Sequence, residues 1–158
     1  MQFVFIDRLT HLVPGRSATA QMVFSPTLEL FADHFPGRPL VPGVLLTESM
    51  NQTAGWLIMA TTGFTTLPLV ARIDRASFRR PVMPGETLII DATLRSSTAS
   101  AHEVIAAIRV NEEVVAEARL LFQSTPLREG ETGADGVAPW IREGFARLGG
   151  PAALERSS

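Results

Sequence analysis

Two side chains of this sequence, His34 and Glu48, have the types and the placement that proton-transfer chemistry requires. Glu48 is the one ionisable residue between Arg38 and Arg72, in a segment rich in apolar residues. A carboxyl group in apolar surroundings resists ionisation, and a Glu that keeps its proton near neutral pH is a candidate general acid. The alternative is that Glu48 points outward from an amphipathic helix, and composition does not separate the two interpretations.

His34 is the natural base to pair with such an acid, because a neutral imidazole accepts a proton readily near neutral pH. It precedes a cluster of Pro and Gly residues that ends at Gly43, where a helix is expected to begin. The start of a helix presents free backbone N–H groups, so the Gly43 N–H can hold a carbonyl oxygen that becomes negative. Together these groups suit abstraction of a proton next to a carbonyl, followed by loss of a β-leaving group. A structural or surface role for His34 is the alternative.

The residue types that are absent narrow the chemistry. All 14 basic residues are Arg, and the sequence contains no Lys, Cys or Tyr, which excludes Schiff-base, thiolate and disulfide chemistry. The other two His residues, His11 and His102, lie at predicted strand ends among polar neighbours and are expected at the surface. No two His residues have the spacing of metal ligands on a helix, so a metal site is not expected. The proton transfers described above require no other cofactor.

The net charge and the hydropathy of the sequence limit which partners and which cellular location are expected. The net charge of −2 gives no reason to expect nucleic acid or an anionic membrane as a partner. The longest nearly uncharged segment is too polar to span a membrane, and charged residues interrupt the N-terminal apolar run too early for a signal peptide. A cytoplasmic location is therefore predicted.

Hydrophobic periodicity predicts the elements that position His34 and Glu48. Apolar residues recur at helical spacing from Val44 to about Ala60 with no Pro between them, and Gly63 is expected to end that helix. A long helix with apolar residues on nearly all sides must be buried by other elements of the fold. A curved antiparallel sheet can cover such a helix, so the predicted class is α+β. Alternation predicts strands before and after the helix, in residues 2–12, 17–24, 67–79, 87–95, 102–110 and 114–123.

The composition changes at Thr125, where Pro, Gly and charged residues become frequent. This change predicts a main domain over residues 1–124 and a C-terminal extension over residues 125–158. Within the extension, a short amphipathic helix is predicted with one apolar face, formed by Trp140, Ile141, Phe145 and Leu148. That helix is expected to dock on the domain, with binding to a partner as the alternative.

The stretch "HFPGRPLVPGVLLTESMNQ", residues 34–52, resembles the active-site signature of FabZ-type 3-hydroxyacyl-[acyl carrier protein] dehydratases. That signature contains His-Phe-Pro-Gly, a later Pro-Gly, and Glu-x-Met-x-Gln on a helix. "IDRASFRRPVMPGE", residues 73–86, resembles the second block of the family, and "FVFIDR" resembles its opening strand. The resemblance covers about Phe3 to Ser124, and the two long motifs together are highly specific.

The resemblance implies a hotdog fold and an activity. The expected reaction is dehydration of a (3R)-hydroxyacyl-[acyl carrier protein] to the trans-2-enoyl form, in fatty-acid or specialised acyl-chain biosynthesis. It implies that His34 removes the α-proton, that the Gly43 N–H holds the thioester oxygen, and that Glu48 of the partner subunit protonates the departing hydroxyl. Family members that also isomerise the product carry Asp in place of Glu48, so dehydration without isomerisation is expected. The expected partners are acyl carrier protein and a second copy of the chain, with a hexamer of three dimers left open.

Further site residues are implied by their places in the motifs. An apolar tunnel for the acyl chain is expected at the dimer interface, and ordinary core packing is the alternative for each of its candidate wall residues, which are Leu45, Leu46, Met50, Phe78 and Pro81. Arg79 and Arg80 are candidates for docking the acidic carrier protein or its phosphopantetheine, with a solvated surface pair as the alternative. The resemblance also implies a cis peptide bond between His34 and Phe35.

Two other functions are compatible with the same fold. One is a hotdog thioesterase, which hydrolyses the thioester with water activated by a carboxylate. The other is a non-catalytic acyl-binding protein. The intact pair of His34 and Glu48 argues against both.

Overall fold

The computed structural model describes residues 3–154. Within that range the chain forms one antiparallel sheet of six strands in the order β1-β2-β4-β5-β6-β3, together with four helices. The α+β prediction is therefore confirmed. The strands are β1 (Arg8–Val13), β2 (Ser17–Val23), β3 (Thr66–Phe78), β4 (Thr87–Ser97), β5 (Ala101–Val110) and β6 (Glu113–Pro126). The helices are α1 (Leu30–Asp33), α2 (Gly43–Thr61), α3 (Pro139–Arg147) and α4 (Gly150–Ala153).

Helix α2 is the axis of the fold. It begins directly after Pro42, which is suited to the position before a helix because its φ is fixed and it has no N–H to leave unpaired. It ends at Thr61, and Gly63 adopts a φ of +66°, a conformation that Gly accepts without steric cost, so the predicted stop is confirmed. The helix contacts every strand of the sheet, and its inward residues Met50, Leu57 and Ile58 are fully buried.

The inner face of the sheet supplies the other half of the core through strict alternation. In β4, Leu88, Ile90 and Ala92 are buried while the residues between them are not. The hairpin of β5 and β6 turns at Asn111 and Glu112, both with positive φ, close to where the sequence predicted it. Because inward residues alternate along β2, β4 and β5, the curved sheet can enclose α2 on its apolar sides.

The first predicted strand is shorter than expected. Alternating apolar residues favoured a strand over residues 2–12, but β1 begins only at Arg8. Phe5 is buried, whereas Phe3 is exposed to 69%. The reason is that the Phe5 N–H donates to the side chain of Gln52 on α2 instead of to a neighbouring strand. This segment therefore enters the fold along the helix before it joins the sheet.

The prediction that His102 lies at the surface is wrong. Its side chain is 3% exposed, and its two ring nitrogens are hydrogen-bonded to Ser97 Oγ at 2.8 Å and to Ser124 Oγ at 2.9 Å. His102 shares its face of β5 with Val104 and Ile108, so the alternation of that strand turns it inward despite its polar neighbours. Burial lowers the pKa of His102.

Strand β3 lies at one edge of the sheet and pairs only with β6 among the described strands. Unlike the other strands, it leaves several large apolar side chains exposed, namely Leu69, Val70, Ile73 and Phe78. An open strand edge with an apolar surface is a place where a second chain can pair.

The C-terminal segment packs against the main body, as its apolar face predicted. Ile141 of α3 is fully buried, and Phe145 lies with its ring centroid 5.7 Å from that of Trp56 on α2. The backbone is also attached, since the Leu9 N–H donates to the Leu148 carbonyl at 2.8 Å. Trp140, at the start of α3, is 51% exposed. The division into domains at residue 124 stays a prediction.

No helix in residues 3–154 has both the length and the apolar character needed to cross a bilayer.

Candidate active site

His34 stands at the end of α1, in a tight turn that fixes its ring. The His34–Phe35 peptide bond is cis, which confirms the prediction. Phe35 and Arg38 exchange two backbone hydrogen bonds, and the Leu40 N–H donates to the His34 carbonyl at 3.0 Å. The His34 and Phe35 rings stack with their centroids 4.3 Å apart. These backbone hydrogen bonds hold the turn that carries His34, and the Phe35 ring packs against its imidazole.

The tautomer of His34 follows from its hydrogen bond. Nδ1 lies 3.0 Å from the carbonyl oxygen of Leu40. A carbonyl oxygen only accepts hydrogen bonds, so Nδ1 must carry the proton. In the neutral ring, Nε2 is then the unprotonated nitrogen and holds the free lone pair. The geometry thus leaves His34 with a base at Nε2.

The N-terminus of α2 borders the same space. A cavity of about 410 Å³ is lined by His34, Gly43 and Phe78 together with neighbouring residues of the β3–β4 connection. No side chain caps the start of α2. The first N–H groups of a helix have no partner within it and carry its positive dipole end, so they are suited to a developing oxyanion. At Gly43, a Cβ atom would lie 3.4 Å from the Phe78 ring, so the missing side chain allows this close approach.

Glu48 is half-buried on α2, one to two turns beyond Gly43. Its two carboxylate oxygens each accept one hydrogen bond from the next turn of the helix: Asn51 Nδ2 donates to Oε2 at 3.0 Å, and Gln52 Nε2 donates to Oε1 at 3.0 Å. The carboxylate plane is thereby fixed from both sides. This positioning role of Asn51 and Gln52 was not predicted from the sequence, although their spacings of three and four residues from Glu48 on a helix were the available signal.

Asn51 has a second unusual property. Within residues 3–154, its Oδ1 atom is buried without a hydrogen-bond partner. A buried carbonyl oxygen without a partner costs about 1–3 kcal/mol. The side chain therefore keeps a free acceptor next to Glu48, at the point where two cavities along α2 meet.

A single chain holds His34 and Glu48 in different cavities. Glu48 lines a cavity of about 590 Å³, bounded by α2 and by Val70 and Ile73 of β3. Gly43 and Phe78 line both this cavity and the one that contains His34, so they form the boundary between them. The Glu48 cavity opens beside the exposed apolar edge strand.

The candidate tunnel residues fall into two groups. Leu46, Phe78 and Pro81 line the cavity of His34. Leu45 is partly buried against the main core, and Met50 lies inside that core with no exposed surface. The role of all five as tunnel walls stays a prediction.

The two candidate docking arginines are held by carboxylates of their own chain. Arg79 pairs with Glu117 at 2.9 Å. Arg80 pairs with Glu86 at 3.1 Å and with Glu113 at 3.1 Å, and its hydrogen bonds to Glu86 and then Glu113 raise its pKa. The local charge is therefore largely neutralised, and the role of both arginines in docking a carrier protein stays a prediction.

No group of three or more His, Asp or Glu side chains in residues 3–154 is arranged to hold a metal ion.

An antiparallel sheet wrapped around one long helix, with a His-bearing turn before that helix, defines a hotdog-fold protein. Structural comparison agrees: smu.793 from Streptococcus mutans, solved with acetyl CoA bound, matches with a TM-score of 0.64 over 82% of this chain and 95% of that one. A thioesterase from Haemophilus influenzae, HI1161, matches with a TM-score of 0.59 over 75% of this chain and 78% of that one. Their identities of 13% and 17% show the fold alone.

Sequence comparison identifies the family. A FabA-like domain model matches residues 1–119. The 3-hydroxyacyl-[acyl-carrier-protein] dehydratase FabZ of Acidiphilium cryptum is 37% identical over 132 residues, which cover 82% of this chain and 80% of the relative. The chain therefore belongs to the FabA-like family and is a FabZ-type member of it.

Proposed function

We propose that this protein dehydrates (3R)-hydroxyacyl thioesters carried on acyl carrier protein to trans-2-enoyl thioesters, in fatty-acid or specialised acyl-chain biosynthesis. The observation that carries the proposal is the fixed tautomer of His34, whose Nδ1 is held by the Leu40 carbonyl so that Nε2 is left as a base. The family membership supplies the substrate class, since the FabZ relatives carry that activity in their names.

The proposed reaction assigns one step to each group. His34 Nε2 takes the proton from the carbon next to the thioester carbonyl, and the electron pair of that bond becomes the new double bond. Negative charge that develops on the thioester oxygen is stabilised by the Gly43 N–H at the start of α2. Glu48 gives its proton to the hydroxyl on the neighbouring carbon, which leaves as water. The carboxylate is then reprotonated and the imidazole gives up its extra proton, so the enzyme returns to its starting state.

The complete site is proposed to form between two copies of the chain, with His34 of one copy facing Glu48 of the other. Two features support this arrangement. His34 and Glu48 line different cavities in one chain. The Glu48 cavity also lies beside β3, whose exposed apolar residues Val70 and Ile73 form an open edge suited to pairing with the same edge of a second copy. The homodimer, with further assembly into a hexamer, is therefore part of the proposal.

Three further parts of the proposal rest on the sequence pattern and the family. The main domain of residues 1–124 is proposed to carry the dehydratase site, with residues 125–158 as an extension. The reaction is proposed to need no metal or other cofactor. The protein is proposed to act in the cytoplasm, together with its carrier protein.

The test is product analysis on a (3R)-hydroxyacyl thioester. The proposal predicts an enoyl thioester and no free thiol, whereas a thioesterase releases free thiol. His34→Ala and Glu48→Gln are expected to lower kcat by about 10²–10⁴-fold, because each removes a proton-transfer group. Both variants must elute as the same oligomer as the wild type by size-exclusion chromatography. Near wild-type rates in either variant, or free thiol as the main product, would contradict the proposal.

A further inference from the structure

A groove runs along one face of α2 from the N-terminus of the helix to its last turns. Two cavities lie end to end in it and share Asn51 as a lining residue. The residues that α2 contributes to the two cavities recur every three to four positions, which places them on one stripe of the helix. They are Gly43, Val44, Thr47, Glu48, Asn51, Gln52, Gly55, Trp56 and Met59.

Strand β3 forms the opposite wall of this groove. Phe78, at the end of β3, packs against Gly43, where an added Cβ would lie 3.4 Å from its ring. Pro68, at the start of β3, packs against Gly55, where an added Cβ would lie 3.8 Å from Pro68 Cγ. Strand and helix thus run in opposite directions along the groove. The cavity near Glu48 and the cavity near Trp56 therefore follow one another between the same helix and the same strand, and Asn51 lines both.

The far half of the groove is covered by the C-terminal helix. Trp140, Gly144 and Arg147 of α3 line the far cavity, whose volume is about 320 Å³. At Gly144, an added Cβ would lie 3.3 Å from the indole of Trp56, so α3 sits on α2 with no space for a side chain at that contact. The family model ends at residue 119, before α3 begins. The covered end is therefore a feature of this chain beyond the matched domain.

We propose that α3 closes the far end of the acyl groove and that Trp56 and Trp140 determine the longest acyl tail that the protein accepts. This inference rests on the proposed function, because it assigns the groove to the acyl chain of that substrate. The walls suit an acyl tail, since Leu67, Pro68 and Met59 are apolar and the groove passes the proposed acid Glu48.

The distance along α2 from Glu48 to Trp56 limits the length of the acyl tail. A helix rises ~1.5 Å per residue, so Trp56 lies about 12 Å along α2 from Glu48. An extended chain advances ~1.2 Å per covalent bond, since three backbone bonds span ~3.3–3.6 Å. The groove therefore holds about ten carbon–carbon bonds beyond the reacting carbons before the tail meets the indole rings. Acyl groups of medium length are expected to fit, and longer ones are expected to be rejected.

The sequence contains two Trp residues, and both line the far cavity, so intrinsic fluorescence reports directly on it. The probes are saturated acyl-pantetheine thioesters of increasing length with a bromine atom on the last carbon, because bromine quenches tryptophan emission only on contact. Short probes are expected to leave the emission unchanged, and quenching is expected to begin when the tail reaches about ten bonds. Trp56→Phe and Trp140→Phe assign the quenching to each indole. Absence of quenching at every length up to saturation would overturn the inference.

A kinetic arm uses Trp140→Ala, a change at a half-exposed position that removes the indole without emptying the core. The ratio of kcat/KM for hydroxyacyl substrates longer than the groove to kcat/KM for short ones is expected to rise by about 10-fold or more. The control is Glu143→Ala, an exposed position on the same helix, which is expected to leave the length profile as in the wild type. An unchanged profile in Trp140→Ala would refute the role of α3.

Failure of the proposed dehydratase function and failure of the acyl-groove inference give different experimental results. Turnover of a short hydroxyacyl thioester, whose tail does not reach α3, tests the dehydratase assignment alone. If that turnover is absent while length-dependent quenching is present, the proposed reaction fails and the acyl groove stands. If turnover is present and the quenching is absent, the groove assignment fails.

Discussion

Replacing Gln52 by Met separates the two functions of that side chain, which are to hold the N-terminal segment and to hold Glu48. Gln52 Oε1 accepts a hydrogen bond from the Phe5 N–H at 2.8 Å. Its Nε2 donates to the Phe3 carbonyl at 3.2 Å and to Glu48 Oε1 at 3.0 Å. Met has a similar length and volume but offers no amide, so Gln52→Met removes all three hydrogen bonds without opening a cavity.

The size of the effect follows from these contacts. The Phe5 side chain is buried, and leaving its N–H without a partner costs about 1–3 kcal/mol. The bond to the Phe3 carbonyl is exposed and adds about 0.5 kcal/mol. A total of about 1.5–3.5 kcal/mol lowers the Tm of a chain of this size by roughly 3–14 °C. Glu48 keeps only its bond from Asn51, and a misplaced acid is expected to lower kcat by about 10–100-fold with little change in KM.

The assay is denaturant unfolding together with steady-state dehydration on the same preparation. Gln21→Met is the matched control, because Gln21 also uses its side-chain amide, to accept from Arg8 Nε at 2.6 Å, but at the surface. That variant is expected to stay within ~0.5 kcal/mol of the wild type and to keep its kcat. If Gln52→Met behaves like Gln21→Met in both measurements, the positioning role derived from the hydrogen bonds is wrong.

Three other predictions follow from side chains around the site and in the sheet. Burial lowers the pKa of His102, so its neutral form is favoured in the folded state. The resulting contribution to stability is present above the ordinary His pKa and is lost as the pH falls through the lowered value. The free energy of unfolding, measured from about pH 7 to about pH 4, should therefore decline less steeply in His102→Gln than in the wild type. Asn51→Ala removes one of the two hydrogen-bond donors to Glu48 together with the unpartnered buried Oδ1. The kcat should therefore fall by about 10-fold, while the free energy of unfolding changes by less than ~1 kcal/mol. An unchanged kcat would show that Gln52 alone positions the acid. Arg79 and Arg80 keep their predicted carrier role only if KM for carrier-linked substrate rises with ionic strength, and a salt-independent KM would remove it.

Much of the fold was predictable because its dominant signals are local. The bounds of α2 were predicted to within one or two residues at each end. The prediction used the helical spacing of Leu46, Met50 and Leu57 and the helix-terminating residues Pro42 and Gly63. The site motif was equally local, since His34, Gly43 and Glu48 lie within fifteen residues of one another on one turn and one helix.

The errors came from contacts that are distant in sequence. Phe5 leaves the strand pattern because its N–H bonds to Gln52, which lies 47 residues later. The polar neighbours of His102 favour a surface position, whereas Ser124, on the adjacent strand, provides the buried hydrogen-bond partner that makes an inward His acceptable. The alternation of apolar residues along β5 indicates by itself that His102 points inward. The surface prediction followed the polarity of the adjacent residues, which is a weaker indicator of side-chain direction.

The position of α3 shows a further limit of the sequence pattern. Its apolar face predicted docking, but not on which surface of the domain. That position depends on the small size of Gly144 against Trp56, a contact between residues on separate elements. Likewise, the apolar residues of β3 read as an ordinary strand, and only the sheet order shows that they lie on an open edge.

The central claim is that His34 of one chain and Glu48 of another together dehydrate the thioester. Its most direct test is to unfold, mix and refold equal amounts of His34→Ala and Glu48→Gln, each of which is inactive alone. In a mixed dimer, one site carries both substitutions and the other carries neither. With random pairing, half the dimers are mixed and half their sites are intact, so the mixture is predicted to recover about one quarter of the wild-type dehydration rate. A mixture that is as inactive as its two parents, although mixed dimers have formed, would contradict the claim.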